Sequence, residues 1–160
     1  MEKEQNTPKT NREIDDIFKP VFKKIQEKVK ETLLLNDSNM EMAMRKHSHS
    51  HEYFITLMVE ERRILKDLKD RQEKMLHDLK IHFRSPKAKI QAKNLNEAEV
   101  MARKDSRYKS FAYQVLWREK IVEYLEEINK LFRNQTYTFG NLVEYYKLDP
   151  TNIVPGKKDE

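Results

Sequence analysis

Proline placement constrains this chain more than any other feature. Proline occurs as Pro8, Pro20, Pro86, Pro150 and Pro155, and nowhere between 21 and 85 or between 87 and 149. Proline removes a helix N–H and clashes with the preceding turn, so both stretches are free to be helical throughout. Glycine, the other strong breaker, appears only as Gly140 and Gly156. Sheets would want more β-branched runs and turn glycines than this chain offers. The expected fold is all-α: an elongated antiparallel helical hairpin of two long helices with short flanking helices.

Composition limits how such helices are covered. Of 160 residues, 38% are hydrophobic and 37% are charged. Long amphipathic helices with so little apolar material bury a small share of their surface alone, which predicts a homo-oligomer. Cysteine is absent, which removes disulfides, thiolate metal sites and cysteine nucleophiles. Two distant glycines cannot build the glycine-rich turn that lets backbone N–H groups close around a phosphate. A P-loop ATPase or a dinucleotide-binding enzyme is therefore excluded. No run of apolar residues is long enough to span a membrane, and MEKEQNTPKTNREIDD lacks the apolar core of a signal peptide. The expected organisation is a disordered arm over 1–11, one helical domain over 12–148 and a flexible tail over 149–160.

Apolar spacing locates the helices. Ile14, Ile17, Phe18, Val21, Phe22, Ile25, Val29 and Leu33 recur in steps of three and four, a helical stripe. Pro20 suits a first turn, so the regular part is expected to start near Lys19. Asn36-Asp37-Ser38-Asn39 reads as a stop and a cap for a short helix over 39–46. The run KHSHSH is expected to break the pattern. A long helix is expected from His51 to Phe83, a connector from Arg84 to Leu95, and a second long helix from Asn96 to Phe132, interrupted near Asp105-Ser106. Arg133 to Thr136 reads as its end, with a last short helix from Phe139 to Leu148.

Charge is concentrated at the connector. Between Arg84 and Ser110 stand Arg84, Lys87, Lys89, Lys93, Arg103, Lys104, Arg107 and Lys109 against Glu97, Glu99 and Asp105, an excess equal to the whole chain's net charge of +5. A localised basic patch is the electrostatic footprint of a polyanion. The same residues also read as a solvated loop, or as a contact for an acidic protein or lipid. Phe83, Tyr108 and Phe111 flank the patch and are expected to stack on unpaired bases.

Other candidate chemistry has a plain structural reading. His47, His49 and His51 alternate as metal ligands can, but they sit in a polar break with no acid to complete a site, so an exposed loop and no metal are expected. Glu60/Glu61 and Glu126/Glu127 have basic residues at helical reach and read as surface ion pairs rather than an acid–base couple. Ser85 and Ser106 lack the glycine-flanked elbow of an acyl-transfer nucleophile. Neither catalysis nor a cofactor is expected.

The C-terminal third carries a further signal. A helix containing Tyr124-Leu125-Glu126-x-Ile128, then Asn134-x-Thr136-Tyr137, then Asn141-x-Val143-Glu144-Tyr145-x-Lys147 follow one another in order. This set resembles the close of the UvsY-type recombination mediators of tailed phages, without a gap from about Gln114 to Leu148. The resemblance extends more loosely over 14–148, with Asp105 similar to the acid before the family's last long helix. His82-Phe83-Arg84-Ser85 departs from the family's aromatic pair and glycine, and Gly140 stands where the family usually has lysine. The resemblance implies a non-enzymatic, ring-like homo-oligomer of roughly six or seven copies with closed symmetry. It also implies partners and a place. The protein would bind single-stranded DNA and load a RecA-like phage recombinase onto strands covered by the phage single-strand-binding protein, in the cytoplasm of the infected bacterial host. Lys74, Lys80, Arg84, Lys87, Lys89, Lys93, Arg103, Lys104, Arg107 and Lys109 would contact phosphates. Tyr124, Leu125, Ile128, Phe132, Leu142, Val143, Tyr145 and Tyr146 would form core and subunit interface. The alternative is a coiled-coil oligomeric adaptor without nucleic-acid binding. An anionic-membrane binder ranks last, because the basic segment lacks the bulky apolar face of an interfacial helix.

Overall fold

The computed structural model describes residues 8–33 and 40–148, without the side chains of 33, 40–43, 142–143 and 145–148. Every regular element among them is an α-helix: α1 (Asn11–Leu33), α2 (Met40–Arg84), α3 (Leu95–Lys104) and α4 (Ser106–Leu148). The all-α expectation holds among the described residues. The expected stop at 36–39 falls on residues outside them, as do 1–7 of the expected arm and the tail from 149.

The helix starts and stops follow from local chemistry. α1 begins well before Pro20, not near Lys19. The cause is a capping box: the Glu13 N–H donates to Thr10 Oγ1 at 3.3 Å, and Glu13 Oε2 accepts from the Thr10 N–H at 2.7 Å. Pro20 then sits mid-helix and costs one backbone bond. The helix persists because Ile14 and Phe18 before it, and Ile25 and Val29 after it, are all buried in one cluster. Ile17 and Val21 of the expected stripe lie on the outer face. Asp105 interrupts the second long helix as expected. Its extended backbone closes α3, while its carbonyl accepts from the Lys109 N–H and its carboxylate from the Arg107 N–H to open α4. Asn94, rather than Asn96, caps α3 by accepting from the Glu97 N–H.

Two expected breaks are absent. α2 runs straight through KHSHSH, and α4 runs through Arg133 to Thr136. Neither segment holds a glycine or proline, so only weak propensity opposes helix there, and burial overrides it. His47 is buried against Phe132, and Thr136 donates its hydroxyl back to the Phe132 carbonyl. The expected short helices over 39–46 and 139–148 are thus ends of α2 and α4, each of which is more than about 60 Å long.

Cross-helix contacts set the arrangement. Along α2, His47, Phe54, Arg62 and Lys69 meet Thr136, Asn129, Glu126 and Glu119 in turn. The α4 partners descend as α2 ascends, so the two lie side by side in opposite chain directions. α1 lies along α4 in the same direction, with Phe18 stacked on Trp117 and Phe22 edge-on to Tyr124. The main core joins Ile14, Phe18, Ile25 and Val29 to Phe54 and to Ile121, Leu125, Ile128 and Phe132. A second, smaller core of Leu79, Ala102 and Tyr108 fastens the connector end.

Candidate nucleic-acid interface

The connector after α2 is a tied turn. The Ser85 N–H donates to the His82 carbonyl, the Ala88 N–H to the Ser85 carbonyl, and the Ala92 N–H to the Phe83 carbonyl at 2.9 Å. The Gln91 side-chain amide donates to the Arg84 carbonyl. These bonds satisfy carbonyls that the end of α2 leaves open. Ala92 is buried, while Lys87, Lys89 and Lys93 around it are exposed. The lysines therefore stand on a folded turn and do not have to be gathered from a loose chain when a ligand arrives.

The expected phosphate contacts divide into two groups. Lys80 and Arg103 both pair with Glu99, Arg103 through Nε and Nη2 at 3.0 and 2.8 Å. Arg107 grips Asp105 through two bonds of 3.0 Å. The hydrogen bond from Lys80, then that from Arg103, holds the Glu99 carboxyl below its ordinary range, and the Arg107 bond does the same to Asp105. These three cations are already answered by acid. Lys74, Arg84, Lys87, Lys89, Lys93, Lys104 and Lys109 are exposed and make no ion pair among the described residues. The sequence expectation treated all ten alike.

The structure adds residues to the patch. An open groove of about 430 Å³ lies beside the start of α4, with Met75 and Leu79 as an apolar floor and Arg71, Lys74, Asp78, His82 and Arg107 around it. Arg71 and His82 were missed by the sequence reading. Their signal was present: 71, 74, 75, 78, 79 and 82 recur at helical spacing on one face of α2.

Other expectations are corrected. Tyr108 is not a free stacking surface: it is buried, and its hydroxyl lies 3.4 Å from Gln72 Nε2. Phe83 is half-buried against the small core. Leu125, Ile128 and Phe132 are buried within one chain, and half-buried Tyr124 packs on Phe22, in keeping with the core part of their expected role. The side chains of Leu142, Val143, Tyr145 and Tyr146 lie outside the described residues. Glu61 is no surface residue either. It is buried and bonded to Arg118 across the helices, whereas Glu126 and Glu127 do pair at the surface, with Arg62 and Lys130. His47 and His51 are helical and turned inward rather than part of an exposed loop, while His49 is exposed. Among the described residues no three His, Cys, Asp or Glu side chains converge as a metal ion needs. No helix among them is long and apolar enough to cross a membrane.

Comparison of the chain with known protein families, with curated proteins and with solved structures finds no match.

Proposed function

We propose that this protein binds single-stranded DNA along the connector and the adjoining groove, and acts as a recombination mediator. In that role its copies, built on the α2–α4 hairpin, assemble into a ring. The ring loads a RecA-like recombinase onto strands covered by single-strand-binding protein. The observation that carries the reading is the pre-tied turn bearing Lys87, Lys89 and Lys93, exposed and without a side-chain ion pair among the described residues, next to exposed Arg84. Cations free of internal partners release counterions from a phosphate chain without first giving up a carboxylate. The recombination role rests on the ordered resemblance over Tyr124–Leu148.

Binding is largely sequence-independent in this reading, because lysines reach phosphates rather than base edges. A ring repeats the patch and raises avidity through effective concentration. The deciding experiment is a salt titration of binding to a fluorescent unpaired oligonucleotide, run beside sedimentation for mass. Engagement of about five phosphates gives a log–log slope near −3.5. A monomer that ignores the oligonucleotide in dilute buffer overturns the proposal, and an assembly that ignores it leaves the scaffold alternative.

A further inference from the structure

His47 and His51 stand one helical turn apart on α2 and face the end of α4. His47 is only 4% exposed. Its ring centroid lies 5.2 Å from both Phe132 and Phe139, and the His51 ring stacks on Phe132 beside it, 5.5 Å away at 13° and 6.2 Å from the His47 ring. His47 Nε2 is 2.9 Å from Thr136 Oγ1. The Thr136 hydroxyl proton goes to the Phe132 carbonyl, which assigns the imidazole N–H to Nε2 and makes it the donor. His47 Nδ1 is then the bare nitrogen, and it is enclosed without a hydrogen-bond partner.

We propose that this histidine pair is an acid-opened latch that holds the α4 segment beyond Asn129 against the start of α2. A proton on His47 must go to Nδ1, inside a wall of aromatic carbon. Among the described residues no carboxylate answers the new charge, and only the Phe132 carbonyl favours the charged ring, against the larger effect of burial. The groups that act on the pair are the two rings themselves, on α2, the Phe132 carbonyl of α4, which favours a charged His47, and the Arg133 cation of α4 on His51. α1 contributes apolar Ile25 and Val29 to the neighbouring core. Among the described residues no carboxylate of any helix bonds either ring. A protonated pair therefore places positive charge beside positive charge in an apolar site, and separation of the helix ends returns both rings to water.

The sign follows from burial. Desolvation first, then the neighbouring cationic group, lowers the proton affinity of each ring below that of a free histidine. The docked state therefore excludes protons that the open state takes up. Docking is at full strength above about pH 6.5 and weakens as pH falls below it, by up to about tenfold in the open population per ring per pH unit. The latch is independent of the DNA-binding reading, since neither ring adjoins the basic turn.

Hydrogen exchange of the full chain at about pH 7.5 and 5.5, corrected for intrinsic rates, tests the latch. Amides of 131–141 are expected to exchange at least about tenfold faster in acid, while those near Trp117 hold. The change is expected to vanish in the pair His47→Phe and His51→Phe. Unchanged exchange in the native chain, or the same acid opening in the double variant, overturns the proposal. Should the double variant fail to fold, an NMR titration of the native imidazoles decides. Both rings are expected to titrate below about 6.5, and titration at or above it overturns the latch.

Discussion

Arg118 of α4 places one guanidinium nitrogen against both carboxylate oxygens of Glu61 of α2, at 2.7 and 2.5 Å. The same guanidinium lies over the Phe18 ring of α1, 5.1 Å from its centroid. One polar contact thus ties three helices. Glu61 interrupts the apolar line of α2, and its burial is tolerated because Arg118 answers it. Arg118→Met leaves that carboxylate buried and unpaired and is expected to cost about 3 kcal/mol in urea unfolding. Glu61→Leu with Arg118→Met is expected to recover most of the loss, since a packed apolar pair replaces a buried ion pair at little cost. A double variant as unstable as the single one would show that the guanidinium acts mainly through its packing on Phe18.

The Asp15 carboxylate holds α1 to α4 by accepting from Tyr113 Oη and Trp117 Nε1, each at 2.8 Å. Bonds from Lys19, then Tyr113 and Trp117, lower its pKa from 3.8 to about 2. The folded value lies below the unfolded one, so this contact stabilises fully above about pH 4 and is lost as pH falls toward about 2. Trp117 emission is expected to stay constant down to about pH 4 and to shift below it. In Asp15→Asn that acid shift is expected to disappear, because no charge remains to titrate. An emission change centred near neutral pH would contradict this assignment.

Pro20 is the one residue inside α1 that its own backbone opposes. It already occupies helical geometry, so alanine restores the missing N–H to the Asp16 carbonyl without moving the packed residues. Pro20→Ala is expected to stabilise the protein by about 1–3 kcal/mol. Thr10→Ala, which removes the capping hydroxyl, is expected to cost about 1 kcal/mol. Thermal unfolding of both variants measures the pair, and a destabilised Pro20→Ala would mean that the helix relies on a kink at that position.

Features with local causes were legible in the sequence, and those with distant causes were not. The Asp105 interruption needs only its own neighbours and was expected. The capping box was equally local, Thr10 to Glu13, but the weight given to Pro20 hid it. KHSHSH and Arg133 to Thr136 read as breaks because each is polar. They are helical because each covers the other's apolar side, through His47, Phe132 and Thr136, some 89 residues apart along the chain. The basic patch was visible as composition. Its division was legible only in part: Arg103–Glu99 and Arg107–Asp105 are local pairs, whereas Lys80 meets Glu99 only when α2 and α3 are side by side.

That division makes the DNA-binding reading sharply testable. Lys87→Ala, Lys89→Ala and Lys93→Ala together remove three charges from the tied turn without touching an internal ion pair. If each meets a phosphate, the salt slope for an unpaired oligonucleotide is expected to fall by about 2, at about 0.7 per contact. Helicity and sedimentation are expected to stay unchanged, because backbone bonds and the side chains of Ser85, Gln91 and Glu97 hold this turn, not the lysine side chains. Arg103→Ala with Lys80→Ala removes two charges as well, but frees Glu99 to act as an unpaired anion at the same end. Its expected signature is different: weaker binding with little change in slope, because those cations reach Glu99 first, accompanied by a loss of stability at the α2–α3 contact. Equal slope changes in the two variants would mean that the ion pairs open when DNA binds and that the patch acts as a single positive field.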